Sequence, residues 1–444
     1  MEKIKILMVP SDTQGVGHFR NIWPAQSLTK HFRDEFEVEI NAQPNIQNLD
    51  YLKSFNIIHF HRHLGPYEGM NDLFKQLKEA GVVLIMDIDD YWEPPTTHPL
   101  FELVRKEKLT EKIIDTLKIS DYVTTTTDVF ANYIKKYNEN VQVIPNALDM
   151  SDKMWKSTSV ENNSDRCRIS WIGGSSHHHD LKLLEHSMKS LYGNKELEDK
   201  FQIVMCGFDI RGTITEILPN GERKTRTIQP NETIWLKFEE IFTAGYHDKN
   251  KDEEYFKWLS KIKREDYPGI ENKSYVRRWT LPLTQYAKHY DYCDVCLAPL
   301  EETEYYKTEK GQVIKRNHYF NEVKSELKII EAGMKKKALI AQDFGAYKSL
   351  IENGKTGILV SDNKDGWYKA MKKVIQDADY RNELANNLHE FVKDRYELKN
   401  VTANRADFYK SVLNKKLAPA EKDSSSILEG LIQKAAQETQ NRPY

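Results

Sequence analysis

A chain of 444 residues is too long for one hydrophobic core, so length alone implies two domains with appendages. Its 65 Lys and Arg against 67 Asp and Glu leave a formal net charge of −2, which excludes a global basic field for nucleic acid. With 39% hydrophobic and 11% aromatic residues the chain is globular, and its four cysteines, Cys167, Cys206, Cys293 and Cys296, form no disulfide framework, so the cytoplasm is the expected compartment.

The opening "MEKIKILMVPSD" has one short apolar run, too short for a signal core or a membrane span. Short β-rich runs then alternate with helical patterns over the first 150 residues, the signature of a parallel sheet with crossover helices. "IKILMVP" reads as the first strand, and "SDTQGVGHFRNIWP" sets Gly15 and Gly17 between it and a helix. Glycines there let backbone approach an anion at the helix start, with His18 and Arg20 just beyond. The third glycine of the dinucleotide fingerprint is absent. "FEVEINA" and "IIHFHRH" follow as strands, the second ending in His59, His61 and Arg62. "MNDLFKQLKEAG" reads as a helix, and "VVLIMDIDD" as a strand ending in Asp87, Asp89 and Asp90. An extended chain puts Asp87 and Asp89 on one face, a spacing suited to a divalent cation. The helical "LTEKIIDTLKIS" and strands at "YVTTTT" and "VQVIPN" complete a doubly wound domain expected over 1–160.

The pattern restarts after "KSTSVENNSDR". "CRISWIGG" reads as a strand running into a glycine turn, with Gly173, Gly174 and Ser175 before a helix from about Asp180. His177, His178 and His179 suggest a metal, yet adjacent residues point in different directions and a tight site needs converging ligands. "FQIVMCGF", "DVCLAPL", "ALIAQDF" and "TGILVSD" continue a second Rossmann-like domain, expected over 161–385. Residues 209–273 break its rhythm with a hairpin around "PNG" and a charged, aromatic helical stretch, and read as an α+β insertion. Cys293 and Cys296 form a lone CxxC inside a buried-strand pattern, where packing is the expected role.

"NEVKSELKIIEAGMKKKALIAQDFG", from Asn321 to Gly345, reads as a helix feeding a strand. Asn321, Lys324, Lys328 and Glu331 recur at three- and four-residue spacing and would share one polar stripe, beside an apolar stripe of Leu327, Ile330 and Met334. Lys335 to Lys337 suit the helix C-terminal dipole.

Two such domains, a glycine turn opening each and a charged helix late in the second, resemble the GT-B glycosyltransferases, and most closely glycosyltransferase family 4. The likeness covers nearly the whole chain except the insertion and the tail. "VIPNALD" at Val143 to Asp149 looks like the segment that ends the family's first domain, and Glu331 occupies the place of the second glutamate of its E-x7-E signature. Val323 stands where that signature has its first glutamate, and the helix instead begins "FNEVKSELK", similar to a variant N-x-x-K-S-x-x-K-x-x-E pattern. The resemblance implies a GT-B fold and a nucleoside-diphosphate-sugar donor, with Glu331 on the ribose and Lys324, Ser325 and the helix amides facing the diphosphate. Lys328 lies one turn further along. It also implies retention of anomeric configuration, no cofactor and no obligatory cation. Residues 386–416 are expected to pack back on the first domain, and 417–444 to form a flexible tail.

On the first domain, the strand ends "GVGHFR", "HFHRH" and "DIDD" face one sheet edge, so His61, Arg62, Asp89 and Asp90 are expected around the acceptor hydroxyl and the donor sugar. Asp89 or Asp90 would take over from the acid that Val323 replaces. Two rival readings stand beside this one: a metal-dependent transferase using Asp87 and Asp89, and a noncatalytic nucleotide-sugar-binding module. The acceptor is expected to be a glycan, a lipid-linked or another hydroxyl, with nucleic acid disfavoured by the charge balance. The expected location is cytoplasmic or peripheral to a membrane.

Overall fold

The computed structural model describes residues 2–98, 100–156, 160, 162–218, 222–245, 251–308, 310–361 and 364–417. The expected tail lies outside them apart from Leu417, as does the "PNG" turn. Strands β1 (Ile4–Val9), β2 (Phe36–Ile40), β3 (Ile57–His61), β4 (Val83–Asp87), β5 (Tyr122–Thr125) and β6 (Val141–Val143) form one sheet in the order β2-β1-β3-β4-β5-β6. All its pairings are parallel. Its central strands are rich in apolar residues because a parallel sheet is covered on both faces, and Ile57, Ile58, Phe60, Leu84 and Ile85 are fully buried.

The second half continues with β7 (Cys167–Ile172), β8 (Phe201–Phe208), β9 (Thr213–Ile217), β10 (Arg223–Thr227), β11 (Tyr275–Trp279), β12 (Val295–Ala298), β13 (Thr303–Lys307), β14 (Val313–Asn317), β15 (Ala338–Gln342) and β16 (Ile358–Val360). Six of these form a second parallel sheet, β11-β8-β7-β12-β15-β16. In each sheet the order reverses beside the first strand, at β1/β3 and at β7/β12, and the crevice beyond the strand C-termini at such a point is where ligands bind.

The stretch expected as one insertion divides in two. The antiparallel hairpin β9–β10 stands apart from the sheet, but the helix Ile234–Phe242 is part of the crossover from β8 to β11. Trp235, Phe238 and Phe242 enter the second core against Trp171, so its aromatic content is core packing. A second hairpin, β13–β14, was not anticipated. It grips the first half of the chain: the Tyr306 hydroxyl donates to Glu93 at 2.7 Å, Arg316 donates to Glu93 at 2.9 Å, and the Lys307 N–H donates to Thr96 Oγ1 at 3.2 Å.

The chain crosses between the halves twice, and the crossings bond to each other: Leu148 N–H donates to Tyr396 O and Leu398 N–H to Leu148 O, each at 3.0 Å. After the second crossing the helix Leu398–Leu417 lies on the first sheet. Its Ala406, Tyr409 and Val412 join the core formed by Ile6, Met8, Leu28, Ile57 and Ile85. No helix among the described residues is long and apolar enough to cross a membrane.

Candidate functional site

The helix expected from Asn321 to Met334 is broken. Tyr319–Glu322 makes one turn, residues 323–326 leave helical geometry, and a new helix runs Leu327–Met334. The predicted stripe is therefore split. Buried Asn321 donates its side-chain amide to Asp180 Oδ1 at 2.8 Å and to Glu301 O at 3.1 Å, a strut within the second half that leaves no amide hydrogen for a ligand. Lys324 and Ser325 lie in the break, beside the free N–H groups that open the second helix. The Lys324 ammonium sits 4.7 Å from the Phe320 ring centroid.

One turn into that helix stands Glu331, fully buried. Its Oε2 accepts from the Tyr290 hydroxyl at 2.5 Å, the Tyr286 hydroxyl at 3.3 Å and Lys328 Nζ at 3.2 Å. Its Oε1 has no partner among the described residues. Burial disfavours the Lys328 ammonium, but Glu331 and the Tyr286 hydroxyl hold its pKa above the ordinary lysine value, so it stays charged. Val323, where the family's first glutamate would stand, is buried in the core of the first half. No carboxylate of that position exists to meet a sugar.

Elsewhere in the second half a cavity of about 570 Å3 opens at the C-terminal ends of three adjacent strands, β7, β8 and β11. Gly173, Gly174 and Ser175 line it after β7, Gly207 and Asp209 at and after the end of β8, and Thr280 after β11, while Thr97 reaches it from the first half. Gly207 is required here: its φ is +100°, and a Cβ would lie 2.7 Å from the Gly173 carbonyl oxygen. Sequence reading found the glycines after β7 but missed Gly207, Asp209, Thr280 and Trp235; the glycine in "MCGF" at a strand end was the available signal. The three histidines diverge: His177 bonds Asp180 at 2.7 Å, His178 stacks on Phe238, and His179 lies 3.9 Å from Glu301. Among the described residues no group of three or more His, Cys, Asp or Glu is placed to hold a metal ion. Cys293 and Cys296 are buried with their sulfurs 3.3 Å apart.

On the first half, two assignments are corrected. Arg20 does not reach for an anion. It is buried and donates to both Asp87 oxygens at 3.0 and 2.8 Å, to Ile144 O at 2.8 Å and to Asn146 Oδ1 at 3.3 Å. Asp87 in turn also accepts from Thr124 at 2.6 Å, so it is not free to pair with Asp89 around a cation. Burial alone would raise the Asp87 carboxyl, but Arg20 holds it down at about 2. The helix start at Gly15–Gly17 is built on Asp12, whose Oδ1 accepts the Gln14 and Gly17 N–H groups at 2.7 and 3.1 Å, and His18 Nδ1 lies 2.8 Å from Gln14 O. Gly17 has no room for a side chain, whereas a Cβ on Gly15 would meet nothing within 4 Å.

His61, Arg62, Asp89 and Asp90, the four residues expected on the acceptor side, lie close together. His61 Nε2 lies 2.9 Å from Asp89 Oδ1, and Arg62 approaches Asp89 at 3.6 Å and Asp90 at 3.9 Å. Arg62 sits in left-handed backbone, φ +63°, conformational strain that the surrounding contacts must hold. Burial would raise the Asp89 carboxyl, yet the His61 hydrogen bond and the charges of His61, Arg62 and Arg20 hold it well below its ordinary range. His61 Nδ1 has no partner among the described residues. His98, on the loop after these acids, is lowered by burial, by Lys324 and by Arg62 against an opposing pull from Asp90, and it lines a small pocket together with Lys324.

No family model matches the chain, and no curated protein matches it. Solved structures do match in fold. HepE of Anabaena in complex with UDP aligns over 92% of this chain and 100% of its own at 11% identity and a TM-score of 0.51. Sucrose-phosphate synthase of Thermosynechococcus elongatus aligns over 94% and 100% at 13% identity and a TM-score of 0.57. A glycosyltransferase of Rickettsia africae aligns over 93% and 99% at 13% identity and a TM-score of 0.55. With its two parallel six-stranded sheets, the chain has the GT-B fold.

Proposed function

We propose that the chain is a glycosyltransferase moving a sugar from a nucleoside-diphosphate sugar to an acceptor hydroxyl. Glu331 carries the reading: a buried carboxylate clamped through one oxygen, with the other unpartnered, one turn into a helix that opens beside Lys324 and Ser325. A nucleoside diphosphate has the complementary groups. Its ribose hydroxyls donate to a carboxylate, and its phosphate oxygens accept from helix amides and lysine. HepE, of the same fold, holds UDP and UDP-glucose, which supports a uridine donor.

As the anomeric bond breaks, the leaving diphosphate takes the bonding pair, and Lys324, Lys328 and the helix amides supply countercharge fixed before reaction. The acceptor oxygen forms the new bond to the anomeric carbon and gives up its proton to an oxygen of the leaving diphosphate. In this reading Asp89, which His61 contacts at 2.9 Å, binds sugar or acceptor hydroxyls together with Arg62 and Asp90. Resemblance of the Asn321–Glu331 pattern to family 4 supports retention of configuration, and activity without a cofactor or an added cation is part of the proposal. The second reading, a noncatalytic module, draws on Val323, whose apolar burial removes the family's sugar-side acid.

Calorimetry with UDP tests the donor site. Glu331→Gln should bind UDP about 10- to 100-fold more weakly, the equivalent of a lost charge-assisted bond of about 1.5–3 kcal/mol. Unchanged affinity in a folded variant overturns the assignment. Wild-type protein that binds UDP-glucose but neither transfers nor hydrolyses it is the binding module instead.

A further inference from the structure

We propose that the face of the β13–β14 hairpin that carries Tyr305 and Val313 docks onto an anionic lipid bilayer. Seven large hydrophobic side chains are exposed among the described residues, and five of them, Leu100, Leu103, Tyr305, Val313 and Ile314, belong to this hairpin and the segment it grips. Their exposures run from 43% to 66%, in a protein that otherwise buries such groups. Two segments distant in sequence supply them. Tyr306 joins the two, packing its ring on Phe101 and bonding Glu93.

Strand register sorts the hairpin into two faces. Glu304, Tyr306, Ile314 and Arg316 share the face that carries the Glu93 contact. Tyr305, Lys307, Val313 and Lys315 share the other, Tyr305 opposite Lys315 and Lys307 opposite Val313. That face carries an aromatic ring, a branched aliphatic and two exposed lysines, with no acid. Residues 100–108 and 303–317 together hold seven Lys and Arg against four Glu, a surplus of +3 in a chain of −2.

Apolar groups ringed by lysine are the chemistry of a headgroup boundary: rings and aliphatics enter the acyl edge while lysine stems lie along it and their ammonium groups meet lipid phosphate. The local positive surplus favours an anionic surface over a neutral one. Glu93 lies three residues beyond Asp90, so the bilayer would sit beside the acceptor-side cluster. An acceptor displayed at the lipid surface follows if the transferase reading holds; the lipid contact itself does not depend on it.

Cosedimentation of the full chain with phosphatidylcholine vesicles, with and without about 30% phosphatidylglycerol, tests the proposal. The chain should pellet with the anionic vesicles only and be released by salt. A Tyr305→Glu, Val313→Glu double variant, altered at two exposed positions, should lose roughly tenfold or more of that binding. Its UDP affinity, measured alongside, should stay at the wild-type value, which reports an intact fold and keeps the lipid result separate from the donor site. Wild-type protein left in the supernatant, or a variant that pellets equally, overturns the proposal. So does light scattering that finds a lipid-free dimer abolished by the same variant, since the patch is then a contact between copies of the chain.

Discussion

Arg20 keeps its charge inside the protein, and the consequence is thermodynamic. Removing one member of a buried, hydrogen-bonded pair leaves the other charge stranded, so Arg20→Ala should cost about 3–5 kcal/mol, read as a lower urea midpoint. A loss below about 1 kcal/mol would mean that Asp87 is rescued by solvent. Glu326 makes a prediction in pH. Its carboxyl is fully buried, with one oxygen accepting the Asn146 N–H at 2.8 Å and the other unpartnered among the described residues. Burial pushes it up to about 7 despite that bond and Arg20. The folded state therefore holds a proton that the unfolded state releases near pH 4.5, so this contribution to stability is complete below about pH 4.5 and lost as pH rises through 7. Glu326→Gln should flatten the fall in stability between those values and gain relative to wild type at pH 8. Parallel wild-type and variant curves in chemical unfolding across pH 4–8 would refute it.

At the level of elements, legibility followed burial. Parallel strands buried on both faces are apolar-rich, which made strands such as β4, β12 and β15 legible; the edge strands β2 and β6 were read although polar residues alternate in them, and β11 was not read. The hairpin "TEYYKTEKGQVIKRN" escaped because its residues answer to a surface and a partner segment, so no apolar period marks it. Residues 321–334 misled in another way: helical spacing runs through the break at 323–326, since nothing in "VKSE" forbids a helix. Arg20 could not be read at all, because its partner stands 67 positions away. A signature singled out Glu331, Lys324 and Ser325 of the proposed site, whereas nothing pointed to the Tyr286 and Tyr290 hydroxyls on Glu331, since they come from a 3-10 helix with no motif. The glycine turn after β7 gives a test at this scale. A Cβ on Gly173 would lie 2.4 Å from the Trp171 ring, whereas one on Gly174 would meet nothing within 4 Å. Gly173→Ala should destabilise by about 1–3 kcal/mol, the overpacking range. Gly174→Ala should leave thermal unfolding unchanged and weaken UDP binding, because only a ligand would contest that space. Equal behaviour of the two variants in both assays would remove the turn from the donor site.

At the scale of the molecule, the last helix is structural to the first half. Tyr409 is fully buried and its hydroxyl lies 2.5 Å from His59 Nδ1. Burial and Arg405 lower His59 to about 3, so it is neutral at pH 7. Tyr409→Ala should cost about 3–5 kcal/mol, the range for a large aromatic lost from a core. The change should appear in unfolding of the first half, and a variant as stable as wild type would show that the helix merely rests on the sheet.

That helix also sets a clock on biosynthesis. The first sheet is complete at Val143, yet the side chains that close one of its faces arrive only with Leu398–Leu417. At roughly 5–20 residues per second, a ribosome takes on the order of 10–50 s to make the intervening chain. Throughout that interval Ile57, Ile85 and His59 face an unfilled groove, while the second sheet, complete at Val360, has its own strands in hand. The half made first is thus the half finished last. A nascent chain stalled before Leu398 should be open to proteolysis in its N-terminal half and protected in its C-terminal one.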